Sequence, residues 1–426
     1  MNGRETWSAH LINASMVMYI IWLMLPAVQV NLRAVTGGIA LVVFAVGVLL
    51  DWNSFRLHWK NFIPRVLCVA ALPLLLVLFL NRGSEQKLGY LAQQVMFWFP
   101  LLWCVWAAQM KDRIAYYLVF TSMIAMFSVT MLTTIGWLIE DVFNIKVAIT
   151  TYARALGSGS TELSYAKILM RRNIGGYDFI YAAVLSLPFI FYLAGGKGWK
   201  RWTFSAFYAL ELLMVVLSQY TFAIIFAIAI TVAELLALAL RKLFKRLSVG
   251  ASLLYTLLFF ALVFLLRLPL LNGLASLADS LQMGRISENF RQLYNVLSGI
   301  DIAGSARLPT YEVPWNSFLS SPLFGGIFSG EAKLGMHSEV FDMLAALGII
   351  GTLFFLAAVW VIGRGMGKGL KGNSALPHLI VQWIALAAVA FVNTVFYSRE
   401  IPLVICLCIA FAVWTGREKS GIMEQT

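Results

Sequence analysis

One histidine of the sequence combines a boundary position with acidic neighbours. His337 stands where a long polar stretch meets an apolar run, and Ser338, Glu339 and Asp342 follow it. An imidazole that is wet on one side and held by protein on the other can move protons near neutral pH, so His337 is a candidate general base. A plain helix start is equally open, with Ser338 as its cap and the two acids either orienting His337 or favouring the helix N-terminus.

Guanidinium groups form a second candidate constellation. They lie in two polar stretches, and the candidates for binding an anion are Arg154, Arg171, Arg172, Arg285 and Arg291. Planar guanidinium forks bind phosphate oxygens in pairs, so two or more of them at one depth would suit a diphosphate. Simpler roles stay open, because Arg285 and Arg291 flank Glu288 at salt-bridge spacing and the adjacent pair Arg171-Arg172 could extend to lipid headgroups.

The composition decides what kind of scaffold must position these side chains. Of the 426 residues, 61% are apolar and 12% are charged, and the mean hydropathy is +0.82. Globular proteins have roughly 45–50% apolar and about 25% charged residues. A chain with so little polar surface is excluded from the soluble globular class, and the sequence predicts an all-α integral membrane protein.

A helix needs roughly 20 apolar residues to cross the hydrocarbon core of a bilayer. By this measure the chain is one polytopic membrane domain over 1–426, with an N-terminal run that is too long for a cleaved signal peptide. The sequence predicts about twelve membrane-spanning helices, at 9–30, 34–50, 66–80, 91–110, 114–139, 176–194, 202–217, 221–240, 249–271, 338–362, 379–396 and 401–414.

The positions of the charged residues, whose sum is +12, agree with this topology. If both termini are cytoplasmic, the short inner connections at 195–201 and 241–246 are strongly basic, as the positive-inside rule requires. The high isoelectric point is therefore a membrane-topology signal, and we expect no nucleic-acid partner. The four cysteines, Cys68, Cys104, Cys406 and Cys408, fall within spans, and they predict neither a disulfide nor a metal site.

Two connections are long, and this topology puts both on the outer side. They run from about 140 to 175 and over 272–337. The second carries apolar residues at helical spacing around Phe290 and Trp315, which predicts short amphipathic helices on the membrane surface or over the bundle. Glu211 and Glu234 are acids that lie inside spans and away from the outer span ends, and intramembrane acids are functional candidates by default.

The stretch 321–351 carries a family resemblance. A turn Pro322-Leu323-Phe324-Gly325 precedes His337-Ser338, and nine residues then separate Ser338 from Gly348. This sequence pattern resembles the signature of the O-antigen ligase and O-antigen polymerase superfamily. That signature has a Pro-Leu-hydrophobic-Gly turn, then His followed by Asn, Ser or Gln, then nine residues and Gly. The place of the motif, after a long outer segment and at the start of a late span, is also similar.

The resemblance implies a GT-C-like, metal-independent glycosyltransferase without a cofactor, in the bacterial inner membrane and with its active site on the periplasmic or exterior side. Its donor would be an undecaprenyl-diphosphate-linked oligosaccharide. His337 would be the base or a close substrate contact, and diphosphate-binding arginines would map onto Arg285 or Arg291 and onto the Arg154/Arg172 segment. One departure is that many members have a Ser-Arg pair where this chain reads Ser218-Gln219-Tyr220.

Three activities are compatible with these features. A polymerase, which joins two lipid-linked glycans and works with a chain-length regulator, is favoured by the sequence around His337 and by that of Arg172–Asp178. The missing Ser-Arg pair favours it too. A ligase that moves the glycan to lipid A-core is the first alternative. A transporter or flippase of lipid-linked oligosaccharides is the second, but it needs a hydrophilic path through the bundle.

Overall fold

The structure is a computed structural model. It describes residues 3–52, 99–104, 106–107, 113–144, 167–218, 220–243, 258, 265–280, 284–298, 308–327, 334, 337–367, 370, 373–395, 398 and 400–419. These ranges are all-helical, as predicted, and contain no strand. The principal helices are α1 (Gly3–Met24), α2 (Pro26–Leu50), α3 (Arg113–Asn144), α4 (Tyr177–Ala194), α5 (Trp199–Leu217), α6 (Thr221–Leu243), α7 (Arg267–Ser280), α8 (Gly284–Leu297), α9 (Leu308–Ser320), α10 (Glu339–Gly367), α11 (Leu376–Val392) and α12 (Glu400–Lys419).

Several of these helices can cross a bilayer. Within the described ranges, five are long and apolar enough: Trp7–Met24, Tyr116–Glu140, Tyr177–Ala194, Thr221–Ala239 and Glu339–Val361. A sixth is reached if Pro26–Leu32 and Val35–Leu50, which meet at 92°, count as one span. The chain is therefore a membrane protein by its helices. The predicted spans at 66–80 and 91–110 fall wholly or mostly outside the described residues, as does most of the span at 249–271.

The first helix ends earlier than predicted. Its last residue is Met24, and α2 begins at Pro26, whereas the sequence suggested one uninterrupted span over 9–30. Proline lacks a backbone N–H and disfavours helical geometry in the residue before it, so the helix cannot continue through Leu25-Pro26. A continuous apolar composition hides this break, because hydropathy does not register a proline at a helix start.

Helix α4 is the centre of the bundle. Its residues from Phe179 to Ile190 are all buried, and it packs against α5, α6, α11 and α12. A helix that is apolar and buried on every side belongs to the interior of a large helical assembly. The positions of these four helices are therefore fixed in part by their contacts with α4.

The bundle has two ends that its contacts distinguish. Near the start of α11, the His378 ring lies 5.5 Å from the ring of Tyr192, close to the end of α4. One turn later, Gln382 Nε2 donates to the Leu185 carbonyl oxygen at 2.8 Å, so α11 runs antiparallel to α4. We call the end where α4 begins and α11 finishes the site end, and the end where α4 finishes and α11 begins the opposite end.

The predicted outer segment 272–337 contains helices. Helix α7 begins at Arg267, before the predicted end of the preceding span, and α8 and α9 follow it. Phe290 in α8 is buried, while Trp315 in α9 is exposed. The prediction of short helices in this segment is confirmed.

Candidate functional site at one end of the bundle

His337 lies at the entry to α10 and is exposed. The next residue, Ser338, is buried, and its Oγ accepts a hydrogen bond from the Phe341 backbone N–H at 3.4 Å. The Ser338 carbonyl accepts from the Asp342 N–H at 3.0 Å. This is the N-cap arrangement that the sequence offered as the plain role of Ser338. The cap fixes where the helix starts and leaves the imidazole at its solvent boundary.

Glu339 joins the start of α10 to another helix connection. Its Oε2 accepts from the Val395 N–H at 2.9 Å, and its own N–H donates to the Asn393 carbonyl at 3.2 Å. Both Glu339 and Asp342 are buried. The Glu339 carboxylate therefore ties the first turn of α10 to the segment between α11 and α12. If Glu339 positions His337, it does so through this bond to the Val395 backbone.

The turn and the glycine of the sequence motif meet in space. The Ile349 N–H donates to the Pro322 carbonyl at 2.9 Å, and the Ile350 N–H donates to the Leu323 carbonyl at 3.1 Å. Helix α10 is interrupted at Gly348, where φ is 61° and ψ is −171°. Residues that carry a side chain rarely adopt this backbone conformation, and a Cβ on Gly348 would overlap the Leu323 carbonyl.

Gly325 completes this joint from the other side. It also has a positive φ, 57°, and a Cβ on it would lie 2.5 Å from the Gly348 nitrogen. The two glycines let two backbones touch, so the spacing of the motif describes a tertiary contact beside the His337 turn. The sequence alone shows a turn and a distant glycine here, and the contact between them comes from the fold.

Aromatic side chains from α9 cover the first turn of α10. The Phe341 ring lies 5.9 Å from Tyr311 and 5.8 Å from Trp315, both in edge-to-face geometry. Such pairs contribute about 0.5–1.5 kcal/mol beyond the burial of their area. Helix α9 is thereby held over the turn that presents His337.

Arg171 and Arg172 lie at the site end and are exposed. They directly precede the connection to α4, in which Asn173 has a left-handed backbone with φ of 62°. Three threonines of α3 hold this connection: Thr130 Oγ1 accepts from Asn173 Nδ2 at 2.9 Å, Thr133 Oγ1 donates to the Asn173 carbonyl at 2.7 Å, and Thr134 Oγ1 accepts from the Gly175 N–H at 2.8 Å.

The same end of the bundle holds His337. Helix α11 finishes where α4 begins, and the start of α10 is bonded to Asn393 and Val395, immediately beyond the end of α11. His337 and the pair Arg171-Arg172 are therefore at one end of the molecule, although the chain separates them by more than 160 positions.

The other predicted arginines have different outcomes. Arg291 is exposed and pairs with Asp279 of α7 at 2.5 Å, so its bridge is to the preceding helix and not to Glu288 as its spacing suggested. Arg285 is in the first turn of α8, but its side chain falls outside what the structure describes. Arg154 lies outside the described residues altogether.

A further buried carboxylate at the site end is not among the residues that the sequence predicted. Glu400, at the start of α12, is mostly buried, and its Oε1 accepts from Gln29 Nε2 at 3.1 Å. Gln29 also donates to the Leu23 carbonyl at 2.7 Å, so one amide joins α1, α2 and α12. The partners are 371 positions apart, and a separation of this size gives no local sequence signal.

No protein family supplies a further constraint on this site. Within the described ranges, no three His, Cys, Asp or Glu side chains come close enough to share a metal ion. The sequence matches no model of a known protein family, and no characterised protein is significantly similar to it. The family resemblance therefore rests on the sequence of residues 321–351 alone and stays a prediction.

Proposed function

We propose that this protein is a membrane glycosyltransferase of the O-antigen polymerase type. It transfers a glycan from an undecaprenyl-diphosphate-linked donor to a second lipid-linked glycan. The observation that carries the proposal is the position of an exposed imidazole, His337, at the same bundle end as the exposed guanidinium groups of Arg171 and Arg172. A base for the acceptor and cations for the leaving group are what this chemistry needs.

The chemical step is a displacement at an anomeric carbon. The acceptor hydroxyl loses its proton to the His337 imidazole as its oxygen bonds to that carbon, and the bond to undecaprenyl diphosphate breaks. A positioned general base accelerates such a step roughly 100-fold to 10,000-fold. Arginines stabilise the charge that grows on the diphosphate, which is worth a few kcal/mol for each well-placed donor.

The topology belongs to the same proposal. In it, the site end faces the outside of the bacterial inner membrane, both termini are cytoplasmic, and about twelve spans form a GT-C-like bundle. The passage from α4 into α5, at the opposite end, carries three exposed cations, Lys197, Lys200 and Arg201. The positive-inside rule favours the cytoplasm for so basic a turn.

A reconstitution with one substrate tests the function. Purified protein in liposomes is given a single lipid-linked repeat unit and no lipid A-core, and the products are separated by size. We expect a ladder of lipid-linked products, with the same yield when EDTA is added because the proposed step uses no metal ion. Inhibition by EDTA would contradict the metal-independent step.

Two outcomes point to the alternatives. Product that forms only after lipid A-core is supplied would identify a ligase instead of a polymerase. Movement of the lipid-linked unit across the bilayer without any new glycosidic bond would identify a transporter. Either result replaces the proposed activity.

A further inference from the structure

A row of side chains that can exchange protons runs into the bundle from the opposite end, away from the candidate site, as two hydrogen-bonded pairs followed by the buried Glu211. It begins at His378, whose Nδ1 lies 2.7 Å from Glu234 Oε2. The His378 side chain is 13% exposed and the Glu234 side chain 2% exposed. The first member of the row is therefore partly accessible from outside the bundle, and the second is already buried.

The row continues on two neighbouring helices. Thr231 lies three residues before Glu234 on α6, and residues at this spacing share a helix face with Cβ atoms about 5–6 Å apart. Thr231 Oγ1 is 2.8 Å from the Tyr208 hydroxyl on α5 and 2.7 Å from the Ala227 carbonyl oxygen, so its one proton has two acceptors within reach. Tyr208 lies three residues before Glu211, which is on the same face of α5.

Glu211 closes the row in the interior. It is completely buried, and its Oε1 accepts from Ser186 Oγ on α4 at 2.8 Å, while its Oε2 has no hydrogen-bond partner among the described residues. Glu211 lines a cavity of about 30 Å³ that is otherwise bounded mostly by apolar and aromatic side chains, such as Phe127 and Phe207. That volume is enough for one water molecule.

The groups around Glu211 do not neutralise a carboxylate. Among the described residues that line the cavity, none is Lys, Arg or His, and α3 contributes only apolar side chains. The polar or titratable groups that face Glu211 or stand next in the row are Ser186 of α4, Cys408 of α12, Tyr208 of α5, Thr231 and Glu234 of α6, and His378 of α11. An isolated charge in such surroundings costs many kcal/mol, whereas a carboxylic acid needs only hydrogen bonds.

A metal cation is a poorer fit to this site than a proton. Hard cations take six or more oxygen ligands, and the described cavity offers the two Glu211 oxygens and the Ser186 hydroxyl. A single proton on Oε2 removes the buried charge and makes that oxygen a donor. The surroundings of Glu211 therefore suit a proton better than a metal cation.

We propose that Glu211 is an intramembrane proton-binding site that is loaded from the opposite end of the bundle through His378, Glu234, Thr231 and Tyr208. Each member of the row accepts one proton and passes one on, and a water molecule carries it from Glu234 to Thr231 and from Tyr208 to Glu211, where no direct hydrogen bond is described. The net change is one proton taken from water at His378 and held at Glu211. This site is separate from the proposed glycan transfer, and neither depends on the other.

Infrared spectroscopy of the full chain in lipid nanodiscs tests this. A protonated carboxylic acid has a C=O stretching band that a carboxylate lacks, and the band shifts when the proton is exchanged for deuterium. We expect a band at neutral pH that is absent in Glu211→Gln. After transfer to D₂O, its shift should be at least about tenfold slower in Tyr208→Phe and in Glu234→Gln.

Two further variants keep the test decisive. Ser186→Ala removes the one side-chain hydrogen bond that Glu211 makes among the described residues but leaves the carboxyl group, so it should move the band without abolishing it, even if Glu211→Gln does not fold. Ser128→Ala, in α3 and away from the row, removes a comparable local bond to the Ile124 carbonyl and should change neither the band nor its exchange.

Two results would overturn the proposal. A spectrum in which neither Glu211→Gln nor Ser186→Ala alters any protonated-carboxyl band shows that Glu211 holds no proton. A band that exchanges as fast in Tyr208→Phe and Glu234→Gln as in the unmodified chain shows that the proton reaches Glu211 by another route.

Discussion

At the scale of single residues, the imidazole of His337 carries most of the proposed chemistry. It is exposed, while the three residues that the sequence associated with it, Ser338, Glu339 and Asp342, are buried. Ser338 caps α10 and Glu339 ties it to Val395. These three residues thus fix the backbone beside the histidine, and the histidine side chain is left exposed.

His337→Ala is expected to reduce glycan transfer at least about 100-fold, because a general base contributes roughly that much or more. The amount of folded protein in the membrane should not change, since the side chain is exposed. Product formation from a lipid-linked repeat unit measures the effect. His10→Ala, an exposed histidine of α1, is the matched control, and near-normal transfer by His337→Ala would exclude the role.

Arg172→Ala is expected to weaken binding of undecaprenyl diphosphate about tenfold or more. A hydrogen bond to a charged group contributes roughly 1.5–3 kcal/mol, and each 1.4 kcal/mol is a factor of ten. Binding can be measured by titration in nanodiscs. Arg201→Ala removes an equally exposed cation at the opposite end and should leave the affinity unchanged. Equal affinities of both variants would remove Arg172 from the binding site.

At the scale of elements, the joint between the Pro322–Gly325 turn and α10 is the feature that sets the site apart from an ordinary bundle end. Gly348 breaks the helix, Gly325 faces it, and two backbone hydrogen bonds close the contact. The joint lies between α9, which covers Phe341, and the rest of α10. A rigid connection here keeps the first turn of α10 in place under its aromatic cover.

Gly348→Ala tests this joint. Its backbone conformation alone costs a residue with a side chain about 1–3 kcal/mol, and the overlap with Leu323 adds to that. We expect a lower melting temperature and a smaller yield of folded protein. In Gly363→Ala, on the same helix, the new methyl group meets no atom within 4 Å, so stability should not fall. Equal melting temperatures for the two variants would show that the close backbone approach is absent.

At the scale of the whole molecule, the antiparallel run of α4 and α11 decides which residues share an end. It puts His337 and Arg171-Arg172 at the site end and the basic turn 195–201 at the opposite end. The bundle therefore places the candidate site and the basic turn 195–201 at different ends.

Cysteine labelling in intact cells tests this sidedness. With the site end outside, Arg171→Cys should react with a membrane-impermeant maleimide added from outside, and Lys200→Cys should react only after the cells are opened. The described native cysteines, Cys104, Cys406 and Cys408, are buried and should give little background. Labelling of Lys200→Cys in intact cells, with Arg171→Cys protected, would invert the topology.

The sequence by itself determined the membrane class, the helical composition, and several local features of the site. The cap at Ser338, the helices around Phe290 and Trp315, and the turn before His337 all follow from composition and spacing over a few residues, which is the range that local physics covers. Only the tertiary structure decided that Glu339 bonds to Val395, that Gly325 meets Gly348, that Arg291 pairs with Asp279, and that His378 contacts Glu234 across 144 positions. The physical reason is that such contacts depend on how helices pack, and packing is set by every neighbouring surface together, not by the spacing of residues along one helix.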